Sequence, residues 1–240
     1  AALAADSIPC QKHVSFGSGI DSFVPEEPPY TPNPLKGSSN NEGFMELTDK
    51  RELGVKYFML ENGRYEAVLY GSPVHYLENG EYKDIDNSLI QAVDEKGKSY
   101  YTNKANGFKA YISSSIDGGW SAGISKGAYE MKWKVEGVYP GKKGVPSTAL
   151  SKNEWEKLGK KEQRTRLPNI DSKVEYSDAV PNTELEYQVI SDMMKESIKI
   201  NSYNGINTFN QKISLKGLDL IQRKDGMIIA VDSNDHTKEI

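Results

Sequence analysis

The apolar and polar positions of residues 57–87 repeat one short unit twice. Each unit is an apolar run, an Asn-Gly pair, and a second apolar run with a Tyr two places after the glycine. The pairs are Asn62-Gly63 and Asn79-Gly80. Asn-Gly between apolar runs favours a type I′ turn, because these residue types best tolerate positive φ. We therefore predict two consecutive hairpins that form a β-meander and need a second layer of sheet.

Strict alternation predicts further half-buried strands. Residues 129–135 place apolar side chains at every second position and charged ones between them, and residues 184–190 do the same with Leu185, Tyr187 and Val189. A period of two is typical of a strand with one packed face. Shorter runs of similar character predict strands at 88–93, 99–102, 108–112, 120–124, 173–176, 195–200, 208–215, 219–222 and 227–231.

Short strands at regular spacing indicate an all-β fold. We predict an antiparallel β-sandwich, supersandwich-like or an open barrel, built from tandem hairpins over residues 51–240. Residues 1–50 are predicted to be a flexible tail rich in Pro, Gly and Ser, because five prolines lie between positions 24 and 34 and proline cannot donate to a sheet. We interpret the tail as a spacer in preference to a docking motif of the PxxP kind.

One segment near residues 151–166 breaks the strand pattern. Ser151 and Glu154 have the spacing of a capping box, which predicts one short surface helix that runs to about Gln163. The segment carries a basic run that could bind an anionic partner, but we favour a solvated helix face. The basic run consists of Lys157, Lys160, Lys161, Arg164 and Arg166.

Charge and composition exclude some classes of partner. The formal net charge is −4, with 30 basic and 34 acidic residues interspersed, so the totals give no basic footprint for nucleic acid and no polybasic membrane patch. Hydrophobic residues make up 37% of the chain, and the 14 Tyr suit half-exposed sheet faces. From these totals we predict no nucleic-acid partner and no membrane insertion.

The residues that commonly carry chemistry are sparse. Cys10 is the single cysteine, which excludes an internal disulfide. The three histidines, His13, His75 and His236, lack metal-ligand spacing, and His75 is expected to be a satisfied strand residue. Asp232 begins a stretch that resembles a calcium loop but lacks its glycine and distal glutamate. The sequence therefore predicts no catalytic, cofactor-binding or metal site, no cofactor, and unknown ligand-binding residues.

Two carboxylate pairs are candidates for acid and base groups. Glu184 and Glu186, like Asp84 and Asp86, lie two apart on predicted strands, and each pair projects from one face with a spacing of about 6.6 Å along the backbone. That spacing suits a glycoside hydrolase. Every second residue of a half-exposed strand is normally polar, however, so we favour ordinary surface residues.

Aromatic residues offer a carbohydrate-stacking platform as another candidate. Trp120 follows a Gly-Gly pair, while Trp133 shares its face with Met131 and Val135. Core packing explains Trp133 better than sugar binding does. For Trp120, both core packing and sugar binding stay open.

Several motifs resemble a known group of proteins. They read EAVLYGSPVHYLENGEYKDIDNSL at 66–89, YTNKANGFK at 101–109, YSDAVPNTELEYQV at 176–189 and KESIKI at 195–200. Together they resemble the β-rich N-terminal region of secreted Gram-positive wall-associated, Rhs (YD-repeat)-like and DNRLRE-domain proteins, over about residues 55–232. The charged segment near 151–166 departs from that pattern. The Ala-rich start fits either a remnant of a secretory signal or a low-complexity end.

The resemblance implies a protein that is secreted or at the cell surface. We expect a non-catalytic structural or adhesion module of a larger exported bacterial cell-surface or toxin-delivery protein, and not an enzyme. Its expected partners are the rest of a longer parent chain and, as a candidate ligand, a cell-wall or host glycan. A carbohydrate-binding module is the first alternative and a glycoside hydrolase the second.

Overall fold

The computed structural model describes residues 37–39, 43–203, 205–206 and 208–240. The strands are β1 Gly37–Ser39, β2 Phe44–Leu47, β3 Val55–Leu60, β4 Tyr65–Leu69, β5 His75–Glu78, β6 Glu81–Asp84, β7 Asp86–Val93, β8 Ser99–Ala105, β9 Lys109–Ser113, β10 Ser115–Ile116, β11 Ala122–Lys126, β12 Tyr129–Val135, β13 Lys142–Lys143, β14 Val145–Thr148, β15 Asp171–Val180, β16 Thr183–Ile190, β17 Met193–Ile200, β18 Gln211–Lys216, β19 Leu218–Gln222, β20 Ile228–Asp232 and β21 Asp235–Glu239. The helices are α1 Lys152–Trp155 and α2 Lys160–Thr165, with a 3₁₀ turn at Thr48–Lys50. Among the described residues no helix has the length and apolar character needed to cross a membrane.

Two antiparallel sheets pack face to face around the main core. The large sheet has the strand order β18-β12-β11-β9-β8-β7, and the facing sheet has the order β14-β15-β16-β17. Their inner faces share a single apolar cluster, and this arrangement confirms the predicted antiparallel sandwich. The cluster includes Phe108, Ala110, Ile112, Ala122, Trp133, Val135, Val174, Tyr176, Leu185, Tyr187 and Val189.

The strands with the clearest alternation form the centre of that core. β12 spans the predicted residues 129–135, and Trp133 is 9% exposed on its inner face. Tyr187 of β16 is completely buried, and its ring centroid lies 6.3 Å from that of Trp133 and 6.1 Å from that of Tyr176. Both ring pairs have the edge-to-face geometry that aromatic quadrupoles prefer.

Four further sheets of the described residues lie outside the sandwich. The first sheet has the order β1-β2-β3-β4, the second is the hairpin β5-β6, the third has the order β19-β20-β21, and the fourth is the pair β10-β13. Both predicted hairpins therefore form, but they belong to different sheets and do not make one meander. Pro73, which lacks a backbone N–H, lies in the link between them and cannot donate to a continuous ladder.

Only one of the two predicted turns has the I′ conformation. In the second hairpin, Asn79 and Gly80 have φ values of 53° and 82°, as a type I′ turn requires. In the first hairpin Gly63 has φ of 75°, whereas the φ of Asn62 is not positive. There the backbone N–H of Leu60 donates to Arg64 O at 2.8 Å, which closes a longer loop. The longer loop places the positive φ on the glycine alone.

The predicted single surface helix is two helices. The capping box at Ser151 forms, since Glu154 N lies 3.3 Å from the Ser151 hydroxyl and the Glu154 carboxylate accepts from Ser151 N at 2.9 Å. The first helix ends at Trp155, and Gly159 is the N-cap of the second. Glycine at position 159 interrupts a helix that the charge pattern alone extended to about Gln163.

The predicted tail lies mainly outside the described residues, as do Cys10 and His13. Within the described part of that segment, Phe44–Leu47 is a strand, and Phe44 and Leu47 are buried. The chain thus joins the first sheet before residue 51. The predicted division of the chain at residue 50 stays a prediction.

Candidate functional site

Five charged or ionisable side chains meet where the first sheet contacts the β5-β6 hairpin. We call them the ion cluster: Glu46, Arg51, Lys56, His75 and Asp84. The Arg51 guanidinium lies 2.7 Å from Glu46 Oε1 and 2.6 Å from Asp84 Oδ2. The Lys56 ammonium lies 3.4 Å from both Glu46 oxygens and donates a short hydrogen bond to Asp84 Oδ1. Two cations thus bridge two carboxylates that belong to different sheets.

Strand alternation explains why Glu46 and Lys56 point towards the interior. Glu46 and Phe44 lie on one face of β2, and Lys56 and Phe58 lie on the same face of β3. The two Phe rings pack edge to face, with centroids 5.4 Å apart. Lys56 is therefore only 7% exposed, which is unusual for lysine unless it is paired with a carboxylate.

His75 is the completely buried member of the ion cluster. Its Nδ1 is 2.6 Å from the backbone carbonyl oxygen of Glu52. Its Nε2 lies 3.5 Å from Asp84 Oδ1 and 4.0 Å from Glu46 Oε1, and it has no hydrogen-bond partner within the described part of the chain. The Asp84 side chain is half-exposed at 50%, so the cluster reaches from the interior to solvent.

The neighbouring side chains shift the pKa values of Asp84 and Arg51. Burial alone would raise the pKa of Asp84, but the facing His75, Lys56 and Arg51 side chains together hold it well below its ordinary value. Burial would lower the pKa of Arg51, yet hydrogen bonds and charge attraction from Glu46 and Asp84 raise it. Asp84 is therefore an anion at neutral pH.

A cavity of about 230 Å³ adjoins the ion cluster. Phe44 and Phe58 line its apolar part, and Lys56 and Asp84 line its charged part. The opposite wall comes from the helical insertion. That wall includes Trp155, Gln163 and Arg166.

Long-range contacts hold the insertion against the first hairpin. Arg164 makes two hydrogen bonds to the Glu66 carboxylate, at 3.0 and 3.2 Å. Its backbone carbonyl accepts a hydrogen bond from the Tyr70 hydroxyl at 2.6 Å, and Lys160 lies 3.4 Å from Glu61. Burial raises the pKa of Tyr70, with further contributions from Glu46, Asp84 and Glu66. The insertion is thus fixed in place even though its helices are short.

The insertion carries an excess of basic side chains. Residues 152–166 contain six basic and three acidic side chains. Lys157, Lys161 and Arg166 are exposed, and none of them forms an ion pair with another described residue. We call these three residues the basic surface.

The predicted carboxylate pairs do not act as pairs. Asp84 ends β6 and Asp86 begins β7, so the two carboxylates belong to different sheets and share no strand face. Glu186 is 3% exposed and lies 3.1 Å from Lys173 and 2.8 Å from Lys199. Burial would raise the pKa of Glu186, but the hydrogen bonds from Lys199 and Lys173 lower it. A carboxylate that is held ionised in this way suits an ion pair better than a general acid.

Other predicted candidates lie apart from the ion cluster. Trp133 is a core residue, and its indole N–H donates to Glu196 at 2.9 Å. Trp120 is partly buried. His236 pairs with Asp219 at 2.9 Å on the surface. His75 lies in strand β5 as predicted, and its Nδ1 is hydrogen-bonded, but its Nε2 has no hydrogen-bond partner among the described residues.

No local sequence pattern indicates the ion cluster. Its members lie on four strands and one connecting segment, and they come from two different sheets. Spacing along one strand or helix reveals only neighbours on that element. The buried Lys56 in an otherwise apolar face of β3 is the one feature that could have pointed to it.

Comparison with curated proteins finds relatives among tRNA nucleases. The chain is 24% identical over 235 residues to the tRNA3(Ser)-specific nuclease WapA of Bacillus spizizenii, which covers 94% of this chain and 9% of that protein. It is 22% identical over 205 residues to the tRNA nuclease WapA of Bacillus subtilis strain 168, which covers 85% of this chain and 8% of that protein. No family model and no solved structure matches the chain.

These relatives overturn the function predicted from the sequence. The prediction of a non-catalytic structural or adhesion module, with a carbohydrate-binding module and a glycoside hydrolase as alternatives, is wrong, because the relatives are nucleases by name. The predictions of no enzyme activity and no nucleic-acid partner are wrong for the same reason. A net charge of −4 averages over the whole chain, so it cannot exclude a local basic surface. The chain spans less than a tenth of the length of the relatives it matches, at 9% and 8%.

Proposed function

We propose that this chain is a segment of a large exported nuclease that acts on tRNA. The observation that carries the proposal is the alignment with tRNA nucleases over 94% of the chain. An alignment of that extent includes the sandwich, the ion cluster and the insertion, and is not confined to one short motif. Export is supported by the resemblance of residues 66–89 to secreted Gram-positive proteins. We assign tRNA cleavage to the protein that contains this chain.

Within the chain, the basic surface is the part best suited to contact tRNA. Lys157, Lys161 and Arg166 can pair with phosphates, because they are exposed and none of them forms an ion pair with a described carboxylate. Lysine and arginine contacts to phosphates supply most of the sequence-independent affinity for nucleic acid. Arg164 and Lys160 are held by Glu66 and Glu61, so they fix the position of the surface.

The geometry also gives this surface a defined orientation. The Trp155 indole N–H lies 3.1 Å from the carbonyl oxygen of Gln163 and 2.9 Å from that of Arg166, which ties the two helices of the insertion together. A backbone that is already held in place loses less conformational freedom on binding than a flexible loop would. The insertion therefore presents its charge as a rigid unit beside the cavity.

The primary test is an assay of tRNA cleavage by the complete natural protein that contains this chain. Purified protein is incubated with bulk tRNA and with a DNA duplex of similar length, and the products are resolved on denaturing gels. We expect tRNA fragments and intact DNA. Intact tRNA over a full range of protein concentrations and divalent cations would overturn the proposal.

A second test measures tRNA binding by the complete protein as a function of salt. We expect the triple variant Lys157→Glu, Lys161→Glu, Arg166→Glu to bind at least about tenfold more weakly at low salt, and to have a shallower salt dependence. The matched control reverses three exposed lysines elsewhere, Lys96, Lys126 and Lys224. It changes the net charge by the same amount, so equal weakening by both triples would contradict a local tRNA surface.

A further inference from the structure

We propose that Glu46, His75 and Asp84 bind a divalent transition-metal ion of the zinc class. This proposal is independent of the tRNA proposal, because it rests on the ion cluster and not on the relatives. One ligand atom from each side chain lies within 4.8 Å of the other two. Ligands at zinc-like bond lengths around a tetrahedral ion are about 3.4 Å apart. His75 Nε2 lies 3.5 Å from Asp84 Oδ1 and 4.0 Å from Glu46 Oε1, so small side-chain movements complete the geometry.

The tautomer of His75 supports the assignment. A carbonyl oxygen can only accept a hydrogen bond, so the 2.6 Å contact with Glu52 O places the proton on Nδ1. In the neutral ring Nε2 then carries the lone pair, and it points from a completely buried ring towards two carboxylates. This is the arrangement in which a backbone carbonyl orients a histidine ligand from behind.

The position of Nε2 is unfavourable without a cation. A buried acceptor that faces two further acceptors gains no hydrogen bond and adds to the repulsion. Within the described part of the chain, Nε2 has no hydrogen-bond partner. A metal ion between Nε2 and the two carboxylate oxygens would give Nε2 the partner that it lacks.

Lys56 is the competitor for the same position. Its ammonium contacts Asp84 Oδ1 and lies 3.4 Å from Glu46, so it places a positive charge where the ion would bind. Arg51 holds Asp84 Oδ2 at 2.6 Å and Glu46 Oε1 at 2.7 Å. Lysine has a flexible four-carbon stem and can withdraw, while the Arg51 guanidinium continues to orient the carboxylates. Metal binding and the Lys56–Asp84 contact are therefore mutually exclusive.

The donor set selects the metal. One imidazole nitrogen with two carboxylates suits zinc and its transition-metal neighbours, whereas Ca²⁺ and Mg²⁺ favour sites built from oxygen alone. The ion would also join β2 of the first sheet to the β5-β6 hairpin, because its ligands come from both. Binding should consequently raise the melting temperature of the chain.

The test is calorimetric titration of the metal-stripped 240-residue chain with Zn²⁺, and a visible absorption spectrum with Co²⁺. We expect one Zn²⁺ per chain and a Co²⁺ spectrum of low coordination number. The Lys56→Met variant keeps every proposed ligand and removes the competitor, so it should bind at least about tenfold more tightly. His75→Gln should abolish binding, while the surface variant His236→Ala should bind as the unchanged chain does.

Three outcomes would overturn the metal site. They are an absence of Zn²⁺ binding by both the unchanged chain and Lys56→Met, undiminished binding by a folded His75→Gln variant, and loss of binding in His236→Ala. If His75→Gln fails to fold, the Lys56→Met comparison and the Co²⁺ spectrum of the unchanged chain still decide the proposal. Because no RNA enters these measurements, their failure leaves the tRNA proposal standing, and the reverse also holds.

Discussion

Asn87 donates a side-chain hydrogen bond to the carbonyl oxygen of Ser191, 2.9 Å away and 104 residues later in the chain. The same amide nitrogen lies 2.7 Å from the carbonyl oxygen of Ile170. The amide oxygen of Asn87 accepts from Asn106 at 3.0 Å. Asn87 is completely buried, so one side chain joins the edge of the large sheet to two connections of the facing sheet.

Replacing this side chain should destabilise the fold. In Asn87→Ala, the carbonyl groups of Ile170 and Ser191 each lose a buried donor, and Asn106 loses an acceptor. We expect the free energy of unfolding to fall by about 2–4 kcal/mol. Urea denaturation with circular dichroism measures it. The exposed-helix variant Asn153→Ala is the control, and a loss of the same size in both would contradict a role for the buried network.

The core of the sandwich should be sensitive to loss of volume. Leu185 is 2% exposed and packs in the main apolar cluster, so Leu185→Ala removes buried methyl groups and leaves a cavity. We expect a loss of about 2–5 kcal/mol in the free energy of unfolding. Leu69 is 77% exposed on the first hairpin, and Leu69→Ala should change stability by less than about 0.5 kcal/mol. Similar losses in the two variants would show that the core is not where the structure places it.

One glycine is required by close packing against β15. A Cβ at position 144 would lie 2.5 Å from Cγ1 of Val174 and 3.0 Å from Cε1 of Tyr176, and both of these side chains are completely buried. We expect Gly144→Ala to destabilise the chain by about 1–3 kcal/mol. Gly71 has nothing within 4 Å of its Cβ position, so Gly71→Ala is the matched control. Thermal unfolding measures the stability of both variants. An equal loss of stability in Gly144→Ala and Gly71→Ala would mean that the loss is a general effect of alanine and not of close packing at position 144.

Glu186 should make the stability of the chain depend on acid pH. Its pKa is lowered in the folded state: burial opposes this shift, but Lys199 and Lys173 outweigh burial. A lowered folded pKa gives stability that is present above the unfolded value of about 4.3 and is lost as pH falls through the folded value. Glu186→Gln should therefore lower stability at pH 7 by about 1–3 kcal/mol and flatten the acid limb of the stability curve.

Glu184, two residues before Glu186 on the same strand, is the control for this pH dependence of stability. Glu184 is partly exposed, and its nearest described donor is Asn201 at 3.3 Å. Glu184→Gln leaves the Lys173 and Lys199 ion pairs of Glu186 intact and is the matched control. An unchanged acid limb in Glu186→Gln would mean that the Lys173 and Lys199 pairs contribute nothing to folding.

Local pattern was sufficient to predict the strands with the clearest alternation. Residues 129–135 were predicted and observed with the same bounds, and Leu185, Tyr187 and Val189 face the core together as their period of two required. The capping box at Ser151 was also predictable, because all of its atoms lie within one turn. Sheet membership was not predictable: the two tandem hairpins separate into different sheets.

The amino-acid sequence by itself determined the all-β class, the I′ turn at Asn79 and the start of the insertion, because each depends on residues a few positions apart. Only the tertiary structure decided that Lys56, His75 and Asp84 meet in one ion cluster. Those residues belong to strands whose pairing depends on the burial of distant apolar faces. Burial also gives His75 its unpartnered nitrogen, since a histidine on an isolated hairpin would be hydrated by water.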